Sequence, residues 1–140
     1  MAWRCDIDYT ITPSIDGLFI ILKIKGIINR EIAMRLNLEA HALGKQLQVR
    51  RYLVDITEAK NTETTTENYQ FAYSDMQQAE DIDKHARVAT IVNPGDHSHD
   101  FIETVARNSG LNVKHFTDRE QAERWLTEDV FPDKPTVDDR

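Results

Sequence analysis

The stretch GLNVKHFTDREQAERWL, residues 110–126, decides how the chain is read. Gly110 suits the position just past a helix end, and Leu111 can fold back as the hydrophobic contact that accompanies such a stop. Val113–Phe116 reads as a short strand. Thr117-Asp118-Arg119-Glu120 matches a capping box with Thr117 as N-cap, and Ala122, Trp125 and Leu126 give the following helix one apolar face. Strands that alternate with helices imply a mainly parallel sheet covered by those helices.

Working outward, Arg87–Val92 reads as an inner strand ended by Asn93-Pro94-Gly95. Ser98 is placed to cap a helix with Phe101, Ile102, Val105 and Ala106 on its apolar side. Thr64-Thr65-Thr66-Glu67 is a second capping box, followed by a helical stripe of Tyr69, Ala72, Met76 and Ala79. Tyr52–Ile56 is short and mostly apolar, as a central strand covered on both faces would be, and Asp55 falls near its expected end. Asn29 can cap a helix reaching Lys45 or Leu47, with Ile32, Leu36, Ala40, Leu43 and Leu47 as the buried stripe. Asp6–Ser14 alternates with period two, Asp16-Gly17 supplies a turn, and Leu18–Lys25 is the second arm of a hairpin. The order ββαβαβαβα predicts one α/β domain over residues 1–131: an N-terminal β-hairpin joined to a mainly parallel sheet under about four helices. Residues 132–140 form a polar tail expected to be loose.

The totals narrow the function classes. Of the 140 residues, 40% are hydrophobic and 29% charged, an ordinary globular mix that suits one core. A formal net charge of -7 opposes nucleic-acid binding, which needs a positive field. Lys23, Lys25, Arg50 and Arg51 are the compact basic residues, read as solvated surface. The single cysteine, Cys5, cannot form an internal disulfide and is read as a bystander. The longest apolar run, Leu18–Leu22, is too short to cross a bilayer, so no integral membrane segment is expected. A signal-peptide pattern is lacking, and a cytoplasmic location is the expectation.

Candidate chemistry gathers where open α/β sheets collect ligands, beyond the C-terminal ends of the strands. Asp55 could orient a ligand or serve as a base, but the preferred reading is that it ties down the loop after it. Thr64, Thr65 and Thr66 would place a phosphate at a favourable helix start, opposed by Glu63 and Glu67; the plainer reading is one cap and two solvated hydroxyls. Asn93, Gly95, His97 and Ser98 lie in the densest polar cluster. His97 and His99 with a carboxylate could bind a metal, amides around Gly95–Ser98 could hold an anion, and a turn plus an N-cap explains the same residues without a ligand. On the helix after Thr66, successive residues turn by about 100 degrees, so Phe71 lies off the Tyr69–Tyr73–Met76 stripe. That helix could cover the sheet with one side and meet a partner or a second copy of the chain with the other. His41, His85 and His115 are scattered, and no nucleophile elbow, Walker sequence or dinucleotide fingerprint is present, so no cofactor is expected.

Tyr52-Leu53-Val54-Asp55, Ala86-Arg87-Val88-Ala89, Phe116-Thr117-Asp118 and Ala122-Glu123-Arg124-Trp125-Leu126 carry a resemblance to the STAS domain (sulphate transporter and anti-sigma factor antagonist), in its sporulation-stage-II-AA-like (SpoIIAA-like) branch. It spans roughly residues 6 to 127. In antagonists of that family a phosphorylatable Ser or Thr opens the helix after the central strand within Asp-Ser-Ser-Gly. The corresponding Thr64-Thr65-Thr66 departs from that pattern and has no glycine. The branch overlaps lipid-binding CRAL-TRIO-type relatives. The resemblance therefore implies a non-enzymatic regulatory or protein-interaction module, with a carrier or sensor of a small anionic or lipid-like ligand as the alternative. The polar cluster itself, and not the resemblance, supplies a third reading, a metal-dependent hydrolase using His97 or His99.

Overall fold

A computed structural model describes residues 7–61, 83, 85–97, 103–104, 107 and 111–128. Its elements run β1 (Ile7–Pro13), β2 (Ile20–Ile28), α1 (Arg30–Leu47), β3 (Arg51–Asn61), β4 (Arg87–Ile91), β5 (Asn112–Phe116) and α2 (Arg119–Thr127). The five strands form one sheet in chain order, with β1 antiparallel to β2 and all later neighbours parallel. The expected hairpin and parallel layer are therefore present. Of the four expected helices, two are described in full. Glu103, Thr104 and Arg107 are helical within the span of the third. The helix expected after Thr66 lies outside the described residues, as do Gly110 and the tail.

Local chemistry explains the element ends. Asn29 caps α1, its side chain accepting from the Ile32 amide. Gln48 adopts the left-handed conformation at φ 60°, and Val49 N–H reaches back to Gly44 O at 2.8 Å, closing the helix as a Schellman turn without glycine. At α2 the N-cap is Asp118 and not the expected Thr117: the Asp118 carboxylate accepts from the Glu120 amide at 3.1 Å, and an ionised cap also meets the positive end of the helix.

The sheet is buried on both faces. Ile20, Leu22, Ile24 and Ile28 of β2, with Tyr52 and Ile56 of β3, pack against Leu36 and Ala40 of α1. On the opposite face Phe19, Leu53, Ala89 and Ile91 meet Ala122 and Leu126 of α2. Leu53 is wholly buried, as befits a central strand. The α1 stripe is shorter than its periodicity suggests. Leu47, in the last turn, remains 44% exposed because the Gln48 cap turns the chain away there.

The largest departure concerns β3. It continues to Asn61 where the sequence suggests an end at Ile56. Lys23 pairs with Asp55 but Lys25 with Glu58, so β3 carries one extra residue at Ile56–Thr57. Beyond Asp55 it pairs only with β2, because β4 stops at Ile91, the partner of Asp55. Asp55 thus sits in mid-strand beside a bulge, and Thr57–Asn61 is strand and not loop.

Candidate functional site

At the C-terminal end of the parallel strands, Asp55 is buried and its Oδ1 accepts from both the amide and the hydroxyl of Thr57, at 3.0 and 2.8 Å. A carboxylate bonding two residues ahead offers the backbone an alternative to the ladder. Here it fastens the bulge, which agrees with the tying role read from the sequence, displaced from a loop to a strand.

The loop after β4 lies along the part of β3 that has outrun β4. Asn93 Nδ2 donates to Thr57 O. Asp96 is buried; its N–H donates to Asn93 O at 3.0 Å, and its carboxylate pairs with Lys60 at 3.5 Å. A Cβ at Gly95 would meet nothing within 4 Å, and Asn93, Pro94, Gly95 and His97 are exposed. Asp55, Asn93 and Asp96 are thus joined through Thr57 and Lys60 of one strand, with Gly95 and His97 at the loop's outer side. Ser98, Thr64, Thr65, Thr66, Tyr69, Tyr73 and His99 lie outside the described residues. Among the described residues no group of three or more His, Cys, Asp or Glu is placed to hold a metal ion.

The opposite end of the strands carries a cluster that sequence reasoning missed. His41 of α1 is only 4% exposed and stacks on Tyr52 of β3, with ring centroids 4.4 Å apart and planes at 11°. Its Nδ1 accepts from the Asp83 amide at 3.0 Å, which fixes the neutral ring with its proton on Nε2. The Asp83 carboxylate receives a two-pronged bond from Arg50, at 2.6 and 2.9 Å, and a third from the His85 amide. Those bonds hold the Asp83 carboxyl down at about 2, against the opposing effect of burial. Burial pushes the Tyr52 hydroxyl up to about 12, helped by the nearby Asp83 charge. The sequence signal was Gly44, a small residue inside an amphipathic helix, three positions after His41: a Cβ there would lie 2.0 Å from Tyr52 Oη.

Arg51 departs from the reading of a solvated basic surface, and Arg87 shares its role. Arg51 and Arg87 are register partners on β3 and β4. Arg51 Nη1 donates to Leu126 O at 2.6 Å and Arg87 Nη1 to Trp125 O at 2.9 Å, so both satisfy carbonyls left unpaired at the end of α2. Arg87 also lies over the Trp125 ring, 5.2 Å from its centroid. Arg50 is exposed but committed to Asp83.

The β1–β2 turn projects from this same end. Ser14, buried, donates to Asp16 Oδ1 at 2.6 Å, and its Oγ accepts from the amides of Leu18 and Phe19. Leu18 N–H also reaches Asp16 Oδ1, and Gly17, at φ 75°, donates to Ser14 O. The Ser14 hydroxyl and the Leu18 amide keep the Asp16 carboxyl below its usual range. These bonds fix a turn whose apex is Ile15, exposed at 109% of its reference area.

No helix among the described residues is long and apolar enough to cross a membrane. No protein-family model matches the sequence, and no curated protein does either. Among solved structures, the chain is similar to an uncharacterized protein of the DUF3478 family from Shewanella loihica PV-4, described as having a SpoIIAA-like fold. The two share 19% identity over 90% of this chain and 98% of that one, with a TM-score of 0.53. At that identity the likeness concerns architecture alone, and it agrees with the element order and the sheet: the chain has the SpoIIAA-like α/β fold.

Proposed function

We propose that the chain is a non-catalytic, cytoplasmic protein-interaction module of regulatory type, and that it docks through the tip of its β1–β2 hairpin. The observation that carries this reading is Ile15: a wholly exposed β-branched side chain at the apex of a turn pinned by Ser14 and Asp16. A loose turn would have to be ordered on binding, at a cost in entropy, whereas this one is already set. Burying an isoleucine is worth about 1.5–3 kcal/mol, enough for an anchor in a protein pocket. The SpoIIAA-like architecture agrees with a regulatory role by analogy of fold. Asp55, which the sequence offered as a ligand-orienting group or a base, instead accepts from Thr57 and fastens the bulge, in keeping with a structural role.

The test is a photo-crosslinking amino acid at position 15, expressed in the native host. The expected result is a discrete protein adduct that excess untagged wild-type chain suppresses and the Ile15→Ser chain does not. Equal suppression by both chains would defeat the hairpin reading. Native mass spectrometry of the purified protein supplies the contrast. A retained anionic or lipid-like molecule would move the assignment to a carrier, and a second copy of the chain as the adduct would make the contact a homodimer.

A further inference from the structure

We infer that the His41–Asp83 contact is an acid-released latch between α1 and the chain entering β4. His41 stands in mid-helix, buried, with one face of its ring against Tyr52. Its Nδ1 lone pair is the acceptor for the main-chain N–H of Asp83. That bond exists only while the imidazole is neutral. Once Nδ1 takes a proton, two N–H groups point at each other and the bond reverses into a repulsion. Charged and titratable groups near the ring include Tyr52 of β3, Asp83 itself and, through the Asp83 carboxylate, Arg50 of the turn before β3; Lys45 lies one helical turn further along α1.

The neighbours decide how the cluster responds to protonation. The Asp83 carboxylate would attract the new imidazolium, yet Arg50 holds both of its oxygens and brings a second positive charge. Re-docking the carboxylate onto His41 means giving up the Arg50 fork. The main chain at Asp83 meanwhile serves β4: Asp83 O accepts from the Ala86 amide, and Arg87 N–H donates to Arg50 O one residue later. Asp83 is therefore the joint through which α1, the β3 entry and the β4 entry are held together. Its release from His41 frees the β4 entry from the helix while leaving the Arg50 pair in place. The contribution is present when His41 is neutral and is lost as the pH falls through its titration.

The experiment is solution NMR on the wild-type chain from about pH 8 to about pH 5, reading the His41 ring nitrogens and the exchange rate of the Asp83 amide. Ring shifts should report the Nε2–H tautomer at the upper end. After correction for the intrinsic pH dependence of exchange, protection of the Asp83 amide should fall about tenfold in step with His41 protonation, the loss of one net hydrogen bond. His41→Asn keeps an acceptor without a titrating group and should hold that protection flat. His41→Phe keeps the stacking without an acceptor and should show the low protection at every pH. Constant Asp83 protection across the His41 titration overturns the latch. So does an imidazole that stays neutral until the whole protein unfolds in acid. Should either variant fail to fold, the wild-type titration decides alone.

Discussion

The two ends of the parallel strands are built differently. At the C-terminal end, where sheets of this class usually receive ligands, one loop is laid on one strand: Asp55 bonds Thr57 within β3, and Asn93 and Asp96 of the loop reach Thr57 and Lys60 of that same strand. At the N-terminal end, bonds join one element to another: Arg50 before β3 to Asp83 before β4, and Arg51 of β3 and Arg87 of β4 to Leu126 and Trp125 of α2. Bonds between elements fix how whole elements sit on one another. Loop-to-strand bonds shape only a local surface. The ends therefore divide the work: one locks α1, β3, β4 and α2 together, and the other settles the contour around a bulge.

That division predicts a ranking of effects. Gly44→Ala should be the most damaging change at the locked end, because the new Cβ would meet Tyr52 Oη at 2.0 Å and Val49 O at 2.8 Å. A loss of about 2–3 kcal/mol is expected from chemical denaturation, and Gly44→Ala combined with Tyr52→Phe should recover part of it. An unchanged midpoint for Gly44→Ala would mean that this end is looser than its packing implies. Arg87→Ala should cost about 2 kcal/mol, since it strips the Trp125 carbonyl of its donor and the indole of its cation. A changed Trp125 emission should accompany it.

At the other end, Asn93→Ala should cost only about 1 kcal/mol, leaving Thr57 O without its side-chain donor. If Asn93→Ala proved as harmful as Arg87→Ala, the contrast between the ends would fail. Acid supplies a gentler probe. The Asp83 carboxyl titrates at about 2 when folded, below its ordinary 3.8, so its contribution is complete above about 4 and is lost as the pH falls toward 2. Asp83→Asn should flatten that part of the acid-stability curve and leave the shape above pH 4 to other groups. The effect should shrink in high salt, because Arg50 is exposed. Smallest of all, Ile15→Ser should shift stability by less than about 0.5 kcal/mol. Its consequence belongs to binding, measured by the loss of competition at position 15.

Much of the architecture was legible because its signals are local. The Asn29 cap, the Asp16-Gly17 turn, the Arg87–Ile91 strand and the Phe116-to-α2 junction rest on side chains acting within about four residues, so both partners stand together in the sequence. The shift of the α2 cap by one residue is the ordinary competition between two adjacent capping side chains, Thr117 and Asp118. The site was less legible. Asp55 was seen, with its tying role, but the bulge that gives it Thr57 as partner depends on β2 pairing across the sheet.

What the sequence by itself determined is the succession of strands and helices, hence a hairpin feeding a parallel sheet, since hydrophobic period and caps act over a few residues. Only the tertiary structure decided that β3 outruns β4, that His41 is buried against Tyr52, that Arg50 holds Asp83, and that Arg51 and Arg87 serve the end of α2. Those outcomes rest on polar groups that need partners once buried, and the chain brings those partners together from tens of residues away only when the sheet has formed.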